Sequence, residues 1–294
     1  VLQHQIKTVN GQLATVSGRM AKRCAAWSVQ HTFFTKGKTM MDKQAVSAAF
    51  DRYVSLFDPG TPGILSKQRH SRIVCGLCGT LARALGWSRE DQDLAWVLGL
   101  LHDIGRFEQA RRFHTFIDYK SMDHARYGVW YLFEQGHIRN FLPEPEPERD
   151  KILELAILWH NAYAVPGGVT GRARDFSLLI RDADKIDLFR VYAGYLDHPE
   201  QVWQMSLKDL GRQEISPKVL AEALEKKLVH TEVKKNALDF FTGCLCQIFD
   251  FTYAPSLALV RQQGYYQKLL DFQPGNPQSA RQLDRVKEKI HEVI

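Results

Sequence analysis

A chain of 294 residues, 45% apolar and 24% charged, is long enough for one large core or two modest ones and too apolar to be disordered. No apolar run approaches the roughly 20 residues of a membrane span, so the expectation is a soluble chain with no membrane partner. The net charge of +6 is matched by Lys7, Arg19, Lys22, Arg23, Lys36 and Lys38 in an acid-free opening segment; the sequence from residue 40 onward is neutral, and no nucleic-acid partner is expected.

That opening segment, residues 1–40, reads as a basic leader, with Met40 or Met41 as a natural start. It lacks the apolar core of a secretory signal. Five cysteines, Cys24, Cys75, Cys78, Cys244 and Cys246, are an odd number, so the expectation is reduced thiols and a cytoplasmic location. Cys75 and Cys78 fall inside a helical pattern with no second pair at zinc-ribbon spacing, and they read as core residues.

From there the chain reads as helix after helix. "SKQRHSRIVCGLCGTLARALG" sets Ile73, Val74, Leu77, Leu81 and Leu85 three and four residues apart and stops at Gly86. "SREDQDLAWVLGLLHD" opens on Ser88 and Asp91 as a capping box. "SMDHARYGVWYLFEQG", "ERDKILELAILWHN" and "RDFSLLIRDADKIDLFRVY" keep the same period, with the stiff connection "PEPEPER" at residues 143–149. Further helices follow, among them "SPKVLAEALEKKLV" and "VKKNALDFFTGCLCQIF". Strand-like alternation is nearly absent. The expectation is an all-α helical bundle at residues 41–198, with a C-terminal helical extension at 199–294 packed on it.

Ionisable residues sit where such helices should be apolar. His70 shares the stripe of Val74 and Leu77; His102 and Asp103 close the second helix; His124 opens the third; His160 stands four residues after Ala156; and Asp184 lies between Ile180 and Leu188. Buried imidazoles and carboxylates are unfavourable unless paired, and mixed imidazole and carboxylate ligands suit divalent Mn, Fe, Co, Ni or Zn, with Mg also accommodated.

The ordered set His70, His102-Asp103 in "LLHDIG" and Asp184 in "RDADKIDLF" resembles the signature of the HD superfamily of metal-dependent phosphohydrolases, over residues 50 to 195. His124 and His160 match the positions that hold a second metal in binuclear members such as the HD-GYP phosphodiesterases. The chain reads "HNAYAVPGG" after His160, without a GYP tripeptide, so cyclic di-GMP hydrolysis is not implied. No signature of the dGTP triphosphohydrolases or the ppGpp hydrolases is present.

The resemblance implies an HD-domain fold and a phosphomonoesterase or phosphodiesterase acting on a small phosphorylated substrate, nucleotides included. It implies two divalent ions held by His70, His102, Asp103, His124, His160 and Asp184, with Asp103 bridging them and a metal-bound hydroxide as nucleophile. Arg106, one turn past His102, is placed to meet charge on the phosphoryl group, and Lys120, Arg111 and Arg112 to line the mouth. Asp182, about 200° around the helix from Asp184, is assigned to the support of the ligands or to an ion pair, and Asn161 to the support of the ligands. Tyr163 is expected at a pocket wall, and His114 and His137 at the surface. The same ligands serve a di-iron oxygenase equally well, and a nucleotide-sensing HD module without turnover is the third reading.

Overall fold

The computed structural model describes residues 41–197 and 210–294. The basic leader, Cys24 and the expected domain boundary at residue 198 therefore lie outside the described residues. Two compact units are resolved, one ending at Ser177 and the other running from Leu178 to Ile294. Among the described residues there is no strand, and the fold is all-α. No described helix is long and apolar enough to cross a membrane.

The first unit begins with α1 (Lys43–Val54), capped by Asp42, whose carboxylate accepts from the Gln44 and Ala45 amides at 3.0 Å. Gly63, at φ 89°, turns the chain into α2 (Ile64–Ala84), the helix read from the 66–86 pattern. Ser88 caps α3 (Arg89–Leu101), accepting from Asp91 N at 3.1 Å, as its capping box predicts. His102 follows at the C-cap, and Asp103 begins α4 (Ile104–Phe113).

A 3₁₀ turn at Asp118–Lys120 leads to Asp123, which caps α5 (His124–Val129). The long third helix expected from "SMDHARYGVWYLFEQG" is not uniform: at Trp130–Glu134 it widens to i→i+5 bonding. Pro147 starts α6 (Pro147–Trp159) at a first-turn position where its missing N–H is no loss, and His160 ends it. The boundary between the units falls within α7 (Gly171–Asp197).

Two glycines bring these helices to the distance that the site requires. A Cβ on Gly99 of α3 would stand 2.7 Å from the Cα of Cys75 on α2. A Cβ on Gly105 of α4 would stand 2.2 Å from the carbonyl oxygen of His124. The glycine of "HDIG" is thus the point where α4 lies against the start of α5. Beneath it, Phe107 meets Phe50 and Tyr53 edge-on at 5.9 and 5.7 Å, and the Tyr53 hydroxyl donates to Ile104 O at 2.9 Å. Cys75 and Cys78 are buried thiols of α2, in agreement with the core reading.

The second unit contains the rest of α7, then α8 (Pro217–Leu224), α9 (Ala237–Leu245), α10 (Ala254–Gln263), α11 (Tyr265–Leu270) and α12 (Pro277–His291). Buried charges tie it together. Asp250 accepts from Arg181 at 2.6 Å and from Lys185, and Asp239 accepts from Ser216 N and Oγ, both at 2.7 Å. The "SPKVLAEALEKKLV" helix stops at Leu224, two residues before Lys226 takes φ 56°.

Gly105→Ala is expected to force α4 and α5 apart, because a methyl group cannot share space with a backbone oxygen, and to destabilise by about 1–3 kcal/mol. Thermal unfolding checks this, and a midpoint equal to the parent's would show that the two helices are not in obligatory contact.

Candidate metal centre

The centre is built around one carboxylate. Asp103 is 2% exposed, and four imidazoles present Nε2 to it. On one side, Oδ2 lies 3.5 Å from His70 and 3.6 Å from His102. On the other, Oδ1 lies 3.2 Å from His124 and 3.6 Å from His160. The rings stand nearly edge to face around it: His70 to His102 at 5.3 Å, His102 to His160 at 5.2 Å and His124 to His160 at 5.0 Å between centroids. All four histidines are buried.

The outward nitrogens explain why the inward ones face the carboxylate. His102 Nδ1 contacts Gly99 O at 2.8 Å, and His160 Nδ1 contacts Ile157 O at 2.7 Å. Each histidine just past a helix thus reaches back to the carbonyl three residues earlier. His124 Nδ1 is 2.8 Å from Asp118 Oδ2. Carbonyl and carboxylate oxygens only accept, so each Nδ1 carries a proton and each ring turns its Nε2 inward. This is the arrangement that fixes metal-ligating histidines.

The fit to a cation follows from a conflict. Nε2 of His124 and Nε2 of His160 are only 3.0 Å apart. With both Nδ1 atoms donating outward, two neutral rings would set lone pairs against each other across that gap. A positive species must reconcile them, either a proton or a metal ion. The protonation balance points the same way. Burial and the Arg106 charge push the His124 imidazole down, but the Asp118 and Asp103 carboxylates outweigh them and hold it above its ordinary value. Burial pushes His160 down, and the neighbouring His124 and His102 add to it against a hydrogen bond with Asp103. Ligand atoms of His102, Asp103 and His160 lie within 4.8 Å of one another, as metal-binding groups must.

Asp103 itself would be raised by burial alone. The Lys67 ammonium, His102 and hydrogen bonds from His124 and His160 reverse this and hold it well below the usual carboxylate range. Lys67 Nζ donates to Asp103 Oδ2 at 2.8 Å. It was not singled out in the sequence, although K-x-x-H puts it one turn before His70 on the same face of α2.

Asp118 is the second residue that the sequence reading missed. Besides His124, it accepts from Arg106 Nη1 and Gln109 Nε2, both at 2.8 Å, and from Asn161 Nδ2 at 3.1 Å. Burial would raise its pKa, but the His124 and Arg106 charges bring it far down, so it stays ionised. Asn161 thus reaches His124 through Asp118.

The other expected residues are placed differently. Arg106 Nε stands 3.7 Å from Asp103 Oδ1, and its Nη1 is shared among Gln109, Phe116 O and Asp118. Arg111 and Arg112 both pair with buried Glu108. Lys120 is exposed, its ammonium over the Tyr119 ring at 5.8 Å, and Tyr163 is 46% exposed. His114 is exposed at the end of α4, as expected, whereas His137 is half-buried and stacks on Tyr131 at 4.2 Å.

Asp184 is a half-buried residue in the second unit's part of α7. Asp182, expected to support the ligands or to form an ion pair, accepts from Thr252 N, Tyr253 N and Ser256 Oγ at 3.1, 3.0 and 2.7 Å. Those bonds lie at the entry to α10.

No curated protein and no solved structure matches the chain significantly. The family model of the HD domain matches residues 68–189, a span that begins two residues before His70 and ends five after Asp184. HD domains bind divalent metals and are typical of metal-dependent phosphohydrolases. With imidazoles gathered on the aspartate of the HD dipeptide, and with no strand among the described residues, the segment 68–189 is the part of the chain that matches the HD domain.

Proposed function

We propose that this chain is a metal-dependent phosphohydrolase with a two-ion centre. The observation that carries the reading is the two-sided environment of Asp103, with His70 and His102 on Oδ2 and His124 and His160 on Oδ1. A carboxylate flanked in this way is suited to bridge two ions. Asp184, inside the matched HD span, is proposed to complete the ligand set. Bound ions would supply Lewis-acid activation of water and attachment points for phosphoryl oxygens.

The residues of the chain perform the remaining tasks. His102 and His160 are held by backbone carbonyls and keep Nε2 turned inward. Asp118 accepts the outer N–H of His124 and raises that ring's basicity. Gln109 and Arg106 fix Asp118 in turn, so the orientation of His124 is set by a network reaching to the turn at Asp118–Lys120. The proposed substrate is a small phosphorylated compound, with nucleotides the first class to test.

Purified without chelator, the protein is expected to carry about one to two transition ions per chain, and Asp103→Ala to abolish both metal and activity, since both sites lose their shared ligand. Elemental analysis before and after titration with Mn, Co, Ni, Fe and Mg checks this; no uptake at all would end the reading. A turnover screen over mononucleotides, cyclic nucleotides, dinucleotides and simple phosphate esters then identifies the substrate.

The second ion has its own tests. His124→Ala or His160→Ala should remove about one ion per chain while leaving the helical signal intact. Asp118→Asn keeps an acceptor but loses the charge, and is expected to weaken that ion's binding by about 10–100-fold. An unchanged isotherm would mean that Asp118 serves only the loop.

A further inference from the structure

Of the two cations beside Asp103, the one read from the sequence is the more constrained. Arg106 Nη1 is held by Gln109 Oε1, Phe116 O and Asp118 Oδ1 at 2.6, 2.6 and 2.8 Å. A planar guanidinium fixed by three acceptors has little freedom to turn.

Lys67 differs in each respect. Its side chain is 14% exposed, its ammonium lies 5.4 Å from the centroid of the Phe116 ring, and its tip reaches Asp103 Oδ2 at 2.8 Å. The charged end thus sits between an aromatic face and the carboxylate and can swing on four methylenes. Its carboxylate partner, Asp103, is also the group that the proposed ions would claim. A protonated amine has no lone pair to donate and cannot be a ligand. Divalent charge on the same carboxylate repels it at close range, where screening is weak. Released from Asp103, the ammonium remains at the rim of the centre and needs an anion.

We propose that Lys67 is the substrate-binding cation of this centre, paired with Asp103 until metal takes the carboxylate and then turned onto a phosphoryl oxygen of the substrate. This rests on the phosphohydrolase reading above. It assigns to α2 the role that the sequence pattern had given to Arg106, and it makes metal loading a prerequisite for anion binding.

The test uses the full chain, Mn²⁺ and inorganic phosphate, followed by calorimetry. Lys67→Met is expected to keep the parent's Mn stoichiometry and to bind Mn at least as tightly, because no ammonium has to be displaced. Phosphate binding to the Mn-loaded variant should weaken by about tenfold or more, the size of one charged hydrogen bond. Lys67→Arg should recover part of that loss. Should Lys67→Met fail to fold, Lys67→Gln gives the same comparison, with a donor for Asp103 but no charge. Phosphate binding equal to the parent's overturns the proposal. So does a variant that loses Mn together with phosphate, since Lys67 would then only support Asp103. A parent that takes up no Mn overturns the metal-centre reading itself, and the proposal with it.

Discussion

Everything in the first unit is arranged around the burial of one negative charge. A carboxylate taken out of water is strongly disfavoured unless neighbours restore what hydration gave it. Asp103 is surrounded by the Lys67 ammonium and four imidazole nitrogens, and Lys67, His102, His124 and His160 keep it ionised against its own burial. The helices that supply them are α2, the end of α3, the start of α5 and the end of α6. None of them could bury its histidine alone, because a desolvated imidazole also needs a partner. The polar centre therefore specifies how these helices pack as firmly as the apolar residues around it do.

Glycine sets the spacing. At Gly99 and at Gly105, a side chain would collide with the backbone of Cys75 and of His124, so the helices meet backbone to backbone. That closeness is what lets short imidazole side chains from separate helices reach the same carboxylate. The motif glycine after His102-Asp103 thus has a steric reason within this chain, independent of any chemistry that the centre performs.

Much of this was legible in the sequence. The three- and four-residue apolar steps gave the helices, and the positions of His70, His102, Asp103, His124 and His160 on inward faces gave the cluster, because helical periodicity alone decides which way a side chain points. The rest depended on contacts between segments. Asp118 lies in an irregular turn with no period, so nothing in its neighbourhood announced that it would receive the outer nitrogen of His124. Lys67 did share the face of His70, but a lysine near the start of a helix is usually a solvated charge. Asp182 was correctly separated from Asp184 by its angle on the helix, yet its actual partners, at Thr252, Tyr253 and Ser256, lie some 70 residues downstream.

The three outward anchors of the histidines differ in kind, and this divides the centre into a stiff half and a compliant half. His102 and His160 are each clamped by a carbonyl three residues back in the same helical end. Such a clamp closes almost no loop and survives any shift of one helix against another. His124 is held instead by a side chain from a preceding turn, itself held by Gln109 and Arg106. Its orientation is thus a shared property of several segments and yields when any one of them moves. The His124 end of the centre is the softer spring, the place where a change in the 115–121 turn is transmitted to the inner nitrogens while the opposite wall stays fixed.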